Sequence, residues 1–366
     1  MFFGSPRSRG RAPAWPGTLG SGGARPARRR WVWLGGALAA LTAAMLAGVA
    51  SGVAAIGPVD IVAAALSRLP FGVTSPLNER ETAVLVELRL PRVVLGALVG
   101  GLLAAAGAAY QGVFRNPLSD PYLLGAASGA GLGATIVMVY GETLVADPGS
   151  LIPAAAFTGA ILGVAAAWTL GSAAGGGSTA GLVLAGVAVS SFLSAVQTFI
   201  QMTRIENLQR IYAWVFGGLA RGGWADVWGV APYALVSVVV LLGCGFLLDL
   251  LALGDEKARS LGVNATAARL VVVAAASLAT AAAVSVSGLI GFVGIVVPHM
   301  VRRLVGTGYR LILPMSLVSG AAFLVLVDIG ARTVIAPAEL PLGVVTAFLG
   351  APFFLVILRT TRNRGT

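Results

Sequence analysis

W-V-W-L-G-G-A-L-A-A-L-T-A-A-M-L-A-G-V-A-S-G-V-A-A-I, residues 31–56, runs 26 positions without a charged side chain. A helix needs about 20 apolar residues to cross the hydrocarbon of a bilayer, so this stretch is long enough to span one. Arg28, Arg29 and Arg30 stand directly before it, and the positive-inside bias puts that flank in the cytoplasm. A cleaved secretory leader is the rival reading. Its apolar core takes only about 7–15 residues, which this run exceeds.

Reading toward the N-terminus, residues 1–30 are rich in Gly, Pro, Ser and Arg and carry no apolar period. Such a segment cannot bury enough apolar surface to fold, so a disordered cytoplasmic tail is expected. Toward the C-terminus, nine further apolar runs follow, near 93–114, 122–140, 151–170, 181–202, 227–250, 267–287, 290–305, 311–329 and 342–358. With the first they make ten spans, and the expected fold is an all-α, polytopic transmembrane helical bundle over residues 31–360, with a short cytoplasmic tail at 361–366. Residues 57–92, with Pro58, Pro70 and Pro76, form a structured outer loop. The basic residues test this topology. If both termini are inside, 17 of the 25 Lys and Arg fall on the inner side and 8 on the outer, as the positive-inside bias requires.

Composition narrows the function. Hydrophobic residues make up 57% of 366 positions and charged residues 11%, less than half the charged share of an ordinary soluble domain. The net charge of +11 therefore reads as topology rather than nucleic-acid binding. Cys244 is the single cysteine and His299 the single histidine, which excludes intrachain disulfides, Cys/His metal clusters and most His-dependent triads. There is no G-x-x-x-x-G-K-[ST] phosphate loop, because Gly175 to Ser178 lacks the lysine. Catalysis by this chain is not expected.

Five segments stand out. Arg89-Leu90-Pro91-Arg92 places two arginines at the outer end of the second span. They could pair with an acidic partner or lie against lipid headgroups. Asn116-Pro117 and Asp120-Pro121 mark a sharp inner turn, where Asp120 fits a helix N-cap followed by proline at the first helical position. Leu253, Lys257 and Leu261 recur at four-residue spacing between Gly254 and Gly262, which outlines a surface helix of about two turns carrying Asp255, Glu256 and Ala258. Pro298 should kink or end the helix around His299, a residue that fits an interfacial hydrogen bond better than a proton relay. Asp328 and Arg332, four apart, should pair. Glycines spaced one turn apart (Gly125, Gly129, Gly133; Gly159, Gly163; Gly288, Gly291, Gly294) predict close helix packing rather than substrate contact. No internal repeat is evident.

Together, R-L-P-R, R-N-P-L-x-D-P-x-L-L-G, L-G-x-x-x-A-x-x-L-G, F-V-G-x-x-x-P-H and D-x-x-A-R followed by E-L-P-x-G closely resemble the FecCD/BtuC-like permease family. These are transmembrane subunits of bacterial ABC importers for iron siderophores, haem or vitamin B12. The resemblance covers residues 31–360. It implies a vitamin B12 importer permease-like fold in the bacterial plasma membrane, and import of ferric siderophores before vitamin B12 or haem. It also implies four sets of partners: a second permease subunit (the same chain or a homologue), two cytoplasmic ATPases that hold ATP and Mg, an extracytoplasmic substrate-binding protein, and the lipid bilayer. No cofactor is expected on this chain. Carried over by motif, Arg89, Arg92 and Arg332 look like outer arginines that receive the binding protein. Leu253, Gly254, Asp255, Glu256, Lys257, Ala258, Leu261 and Gly262 look like the element that couples to the ATPase. Gly175, Gly176, Gly177, Ser178 and Thr179 match the inner gate. The long Arg-rich tail departs from the pattern, and Tyr110 and Gln111 have no assigned role. Two other classes compete: an ion-coupled secondary transporter would need buried coupling carboxylates, and a membrane enzyme would need a cluster of acid, base or metal ligands.

Overall fold

The computed structural model describes residues 27–52, 57–67, 74–143, 147–175 and 178–362. Ten long helices account for the ten expected apolar runs: α1 (Ala27–Ala50), α2 (Leu90–Val113), α3 (Ala126–Tyr140), α4 (Ile152–Gly175), α5 (Thr179–Thr203), α6 (Trp224–Gly243), α7 (Ala265–Ser287), α8 (Val293–Val305), α9 (Tyr309–Thr333) and α10 (Leu342–Arg362). Seven of them (α1, α2 with its entry turn, α4, α5, α6, α7 and α9) are long and apolar enough to cross a membrane, and α3 and α10 are shorter apolar helices. At 13 residues, α8 rises only about 20 Å, less than a bilayer core.

α2 is the axis of the bundle. It packs against α9, α7, α8 and α6, and its side chains from Val99 to Val113 are buried. The approach is close because glycine removes the Cβ. A methyl group on Gly107 would run into the carbonyl of Gly294 in α8, and one on Gly100 into the carbonyl of Gly320 in α9. On the other side, α3 and α4 meet backbone to backbone where Gly125 faces Gly163, Gly129 faces Gly159 and Gly133 faces Ala155. In lipid such contacts replace the hydrophobic effect as the source of packing energy.

The end where α1 stops and α2 starts is here termed the RLPR end; inside the bundle, between it and the opposite end, three non-helical stretches interlock. Gly218 N donates to Ser287 O (2.8 Å), Leu342 N to Gly217 O (3.0 Å) and Gly343 N to Phe216 O (2.9 Å). Gly217 (φ 71°) and Gly288 (φ 66°) take left-handed backbone here, which non-glycine residues adopt only at a cost. Irregular backbone at this depth persists because its polar groups pair within protein.

Three local readings are corrected and one is narrowed. Asp120 does not cap α3: its Oδ1 accepts from Tyr122 N (2.7 Å) in a separate turn, and α3 starts only after Gly125, at φ 87°. Gly288 and Gly291 share no helix face with Gly294, since they precede α8 in the interlocked stretch. Of the two outcomes expected at Pro298, a kink or an end, the end is ruled out, because α8 continues through it to Val305. The run at 227–250 breaks at Cys244, after which a second helix, Gly245–Ala252, follows. The outer loop contains two short helices, Pro58–Leu66 and Glu79–Ala83. Of the N-terminal tail, residues 1–26 lie outside the described residues, and 27–30 already belong to α1.

Candidate functional site

At the RLPR end the chain enters α2 through Asn78, whose side chain and that of Glu81 cap each other's backbone N–H groups (2.8 and 3.0 Å). A six-residue π-helical stretch, Val84–Arg89, follows. Its wider turns leave the Val86 carbonyl for the Trp224 indole N–H (2.9 Å) and turn Arg89 inward. Arg89 Nη1 donates to the carbonyls of Val49 (3.1 Å) and Ala50 (3.2 Å), which are C-terminal carbonyls of α1 left without helical partners. Arg332 does the same from α9, donating to Gly48 O and to Ser51 O (2.6 and 3.0 Å). Both cations sit where the helix dipole is negative.

Arg92 forms the centre of the cluster. Its Nη2 donates to Asp328 Oδ1 (2.8 Å) and to Glu339 Oε2 (2.9 Å), and its Nη1 to Glu339 Oε1 (2.8 Å). Asp328 also stands 3.4 Å from Arg332 Nε, the i,i+4 pair anticipated from the sequence. The side chain of Asp328 is 3% exposed and that of Glu339 is 38% exposed, so one carboxylate is internal and the other forms the rim. Hydrogen bonds from Arg92 hold Glu339 below the usual carboxylate range. The three arginines are thus brought together at one end of the bundle, and their guanidiniums point into the protein. With two guanidiniums bound to it, Asp328 does not have the free carboxylate that ion-coupled transport requires.

The opposite end holds the other candidate residues. The helix Asp255–Ser260 is bounded by Gly254 (φ 106°) and Gly262 (φ 82°), which makes it the short surface element expected. Leu253 and Leu261 are 54% and 59% exposed, and Glu256 and Lys257 are exposed between them. Ala258 is fully buried beneath. Asp255 turns the other way and holds the element to the bundle through Arg269 (3.0 Å) and Arg115 (3.4 Å). Burial opposes its ionisation, but these arginines outweigh that and keep its pKa below the ordinary value.

Beside it lies the turn at 114–125. Asn116 Oδ1 accepts from Leu118 N (2.9 Å). Pro117 and Pro121 take the chain round to Tyr122, whose hydroxyl donates to Ile290 O and accepts from Ile290 N (both 3.1 Å). Burial raises the Asp120 carboxyl to about 6. Of the expected gate, Ser178 caps α5 by accepting from Gly181 N (3.2 Å), Thr179 opens that helix and Gly175 ends α4. Gly176 and Gly177 lie outside the described residues.

Two features escaped sequence reasoning. Tyr110 and Gln111 both reach across the core: Tyr110 Oη meets Ser277 Oγ (2.7 Å), and Gln111 Nε2 donates to Gly294 O (3.2 Å). The other is α5, which is among the least covered helices and leaves Ser191, Ser194 and Thr198 exposed beside Phe192 and Phe199. The one-turn spacing of these hydroxyls was the available signal.

Comparison with known proteins places this arrangement. Residues 40–360 match the FecCD transport family. The chain is 40% identical over 296 residues to the cobalamin import system permease BtuC of Halobacterium salinarum (81% of this chain, 78% of that one). It is 38% identical over 286 residues to the Fe(3+)-citrate import system permease YfmD of Bacillus subtilis (78% and 84%). A solved inward-facing structure of a metal-chelate type ABC transporter superposes with a TM-score of 0.77 at 29% identity, covering 89% of this chain and 98% of that one. The chain therefore belongs to the FecCD transport family, as the multi-pass permease subunit of an ABC importer whose ATP hydrolysis lies on a partner subunit.

Proposed function

We propose that this permease imports ferric siderophores, receiving them at the RLPR end from an extracytoplasmic binding protein and being driven at the opposite end by cytoplasmic ATPases. The observation that carries the reading is the division of charged groups between the two ends, an arginine rim above and an exposed Leu-Glu-Lys-Leu surface below. Both termini then lie in the cytoplasm, in agreement with the count of basic residues. An acidic binding protein would not meet free guanidiniums at the rim. It would compete with Glu339, the exposed carboxylate, for Arg92, so docking is an exchange of ion-pair partners. Leu253 and Leu261 would enter the ATPase surface, with Gly254 and Gly262 letting the element turn sharply on both sides.

The hydroxyl stripe of α5 supports a path wall shared with a second permease. Polar groups on an exposed helix face at membrane depth line a cavity or another protein more readily than lipid. Near-equal identity to cobalamin and ferric-citrate permeases does not choose the cargo, so transport must. Reconstitution with the cognate ATPase and binding protein in proteoliposomes should give ATP-dependent accumulation of ferric hydroxamate well above that of cobalamin or haem. Faster uptake of either competitor would overturn the cargo assignment. ATP-independent uptake driven by an ion gradient would contradict ABC import itself.

A further inference from the structure

Near the end opposite the RLPR rim, a cavity of about 410 Å³ opens between the C-terminus of α2, the following turn and α8. Its walls carry Arg115, Arg302 and Arg303 together with Gln111, His299 and Tyr309, and no carboxylate. Arg302 Nη2 donates to Gln111 Oε1 (3.0 Å) and Tyr309 Oη (3.2 Å), both neutral, and its guanidinium lies 5.7 Å from the Tyr309 ring centroid. Arg303 Nε donates to His299 Nε2 (3.2 Å), which fixes that ring nitrogen as an acceptor. Among the described residues no carboxylate lies within ion-pair distance of Arg302 or Arg303, and Arg115 shares Asp255 with Arg269.

Three guanidiniums around one concavity repel each other and are poorly compensated. The C-terminal carbonyls of α8 supply about half an elementary charge, short of what two adjacent arginines need. Arg302 is half-buried while Arg303 and Arg115 are exposed, and an anion that bridges them would relieve their mutual repulsion. Arginine's planar fork matches the oxygens of phosphate in particular. We propose that this cavity binds a phosphate-bearing anion, with Arg302 and Arg303 as its principal contacts and Arg115 as the third. Its volume exceeds one phosphate and leaves room for the rest of a phospholipid headgroup. Free phosphate presents the same oxygens, so the source is a matter for experiment.

The full-length chain, purified and stripped of lipid in detergent, is titrated with labelled phosphatidylglycerol and, separately, with inorganic phosphate. Each titration runs against a phosphatidylcholine background. Saturable binding of one phosphatidylglycerol per chain is expected, weakened about tenfold or more in Arg302→Gln and Arg303→Gln. Arg310→Gln should leave binding unaltered, since Arg310 lies against Phe246 outside the cavity wall. Binding of inorganic phosphate with the same variant dependence, and no preference for phosphatidylglycerol, would support the site and assign it to the free anion. Binding of neither, or binding indifferent to both arginines, would overturn it. So would anion binding that appears only once an ATPase subunit is added, since that would make the cavity a protein contact. Should Arg302→Gln fail to fold, Arg303→Gln and the charge-retaining Arg302→Lys decide the question.

Discussion

The two ends of the bundle use arginine in opposite ways. At the RLPR end, Arg89, Arg92 and Arg332 are bound by Asp328, Glu339 and the last carbonyls of α1, so their charges go into holding three helices together. At the other end Arg302 and Arg303 find only neutral partners, and Leu253 and Leu261 stand in the open. Equal residue types therefore have unequal duties. The first end commits its arginines to internal ion pairs and carbonyls, and the second leaves Arg302 and Arg303 without a carboxylate among the described residues.

The largest effect that would test this contrast is removal of Asp328. Breaking a buried ion pair from one side leaves its cations uncompensated and costs about 3–5 kcal/mol. Asp328→Ala should thus lower the thermal midpoint of the purified chain sharply, whereas Arg310→Gln at the opposite end should stay within about 0.5 kcal/mol of wild type. Equal losses in the two variants would erase the distinction.

Next comes the double variant Leu253→Asp with Leu261→Asp. Loss of two apolar anchors from a partner surface is worth about 2 kcal/mol or more, some thirtyfold in affinity. Stimulation of the ATPase by permease in the reconstituted complex should collapse while the melting curve of the isolated chain holds. Asp255→Asn should show the reverse weighting, because Asp255 anchors the element through Arg269 rather than facing out. A Leu pair that melts the chain would mean these residues serve the fold.

A smaller effect separates the ends by pH. Glu339 lies below the ordinary carboxylate range in the folded chain. Its stabilising contribution is complete above the unfolded value and is lost as acid protonates it, so acid weakens the rim. Asp120 is raised to about 6, so ionised Asp120 costs stability at neutral pH and protonation relieves that cost. Asp120→Asn should therefore stabilise at pH 7 relative to wild type, with the gain shrinking as pH falls through about 6 and gone only below the unfolded carboxylate value of about 3.9 in a pH series of unfolding midpoints. The smallest change is Lys257→Glu alone, where the exposed side chain should alter stability by less than about 0.5 kcal/mol.

What the sequence revealed follows the range of each interaction. Apolar runs needed only local composition, so the seven membrane-length helices and the shorter α3 and α10 were legible, whereas the shortness of α8 was not. So was the Asp328–Arg332 pair, four residues apart. The inward turn of Arg92 was not, because it depends on Asp328 and Glu339, more than 230 residues along the chain. The late start of α3 was hidden for the same reason: Tyr122 is held by Ile290, 168 positions away. Gln111 had no visible role because Gly294 and Arg302 meet it only after folding. Arg89 was legible as a cation at a helix end, but its direction is set by a π-helical stretch that no periodicity announced.

The glycine seam between α3 and α4 has a mechanical consequence. Helices that touch through side chains have a compliant layer that lets them roll and shear. These two have none where Gly129 meets Gly159 and Gly133 meets Ala155, so they behave as a single strut with one set of rigid-body coordinates. α2 is locked in the same way to α8 and α9. A transporter built like this has fewer independent moving parts than helices, so any stroke must occur between these locked groups rather than within them.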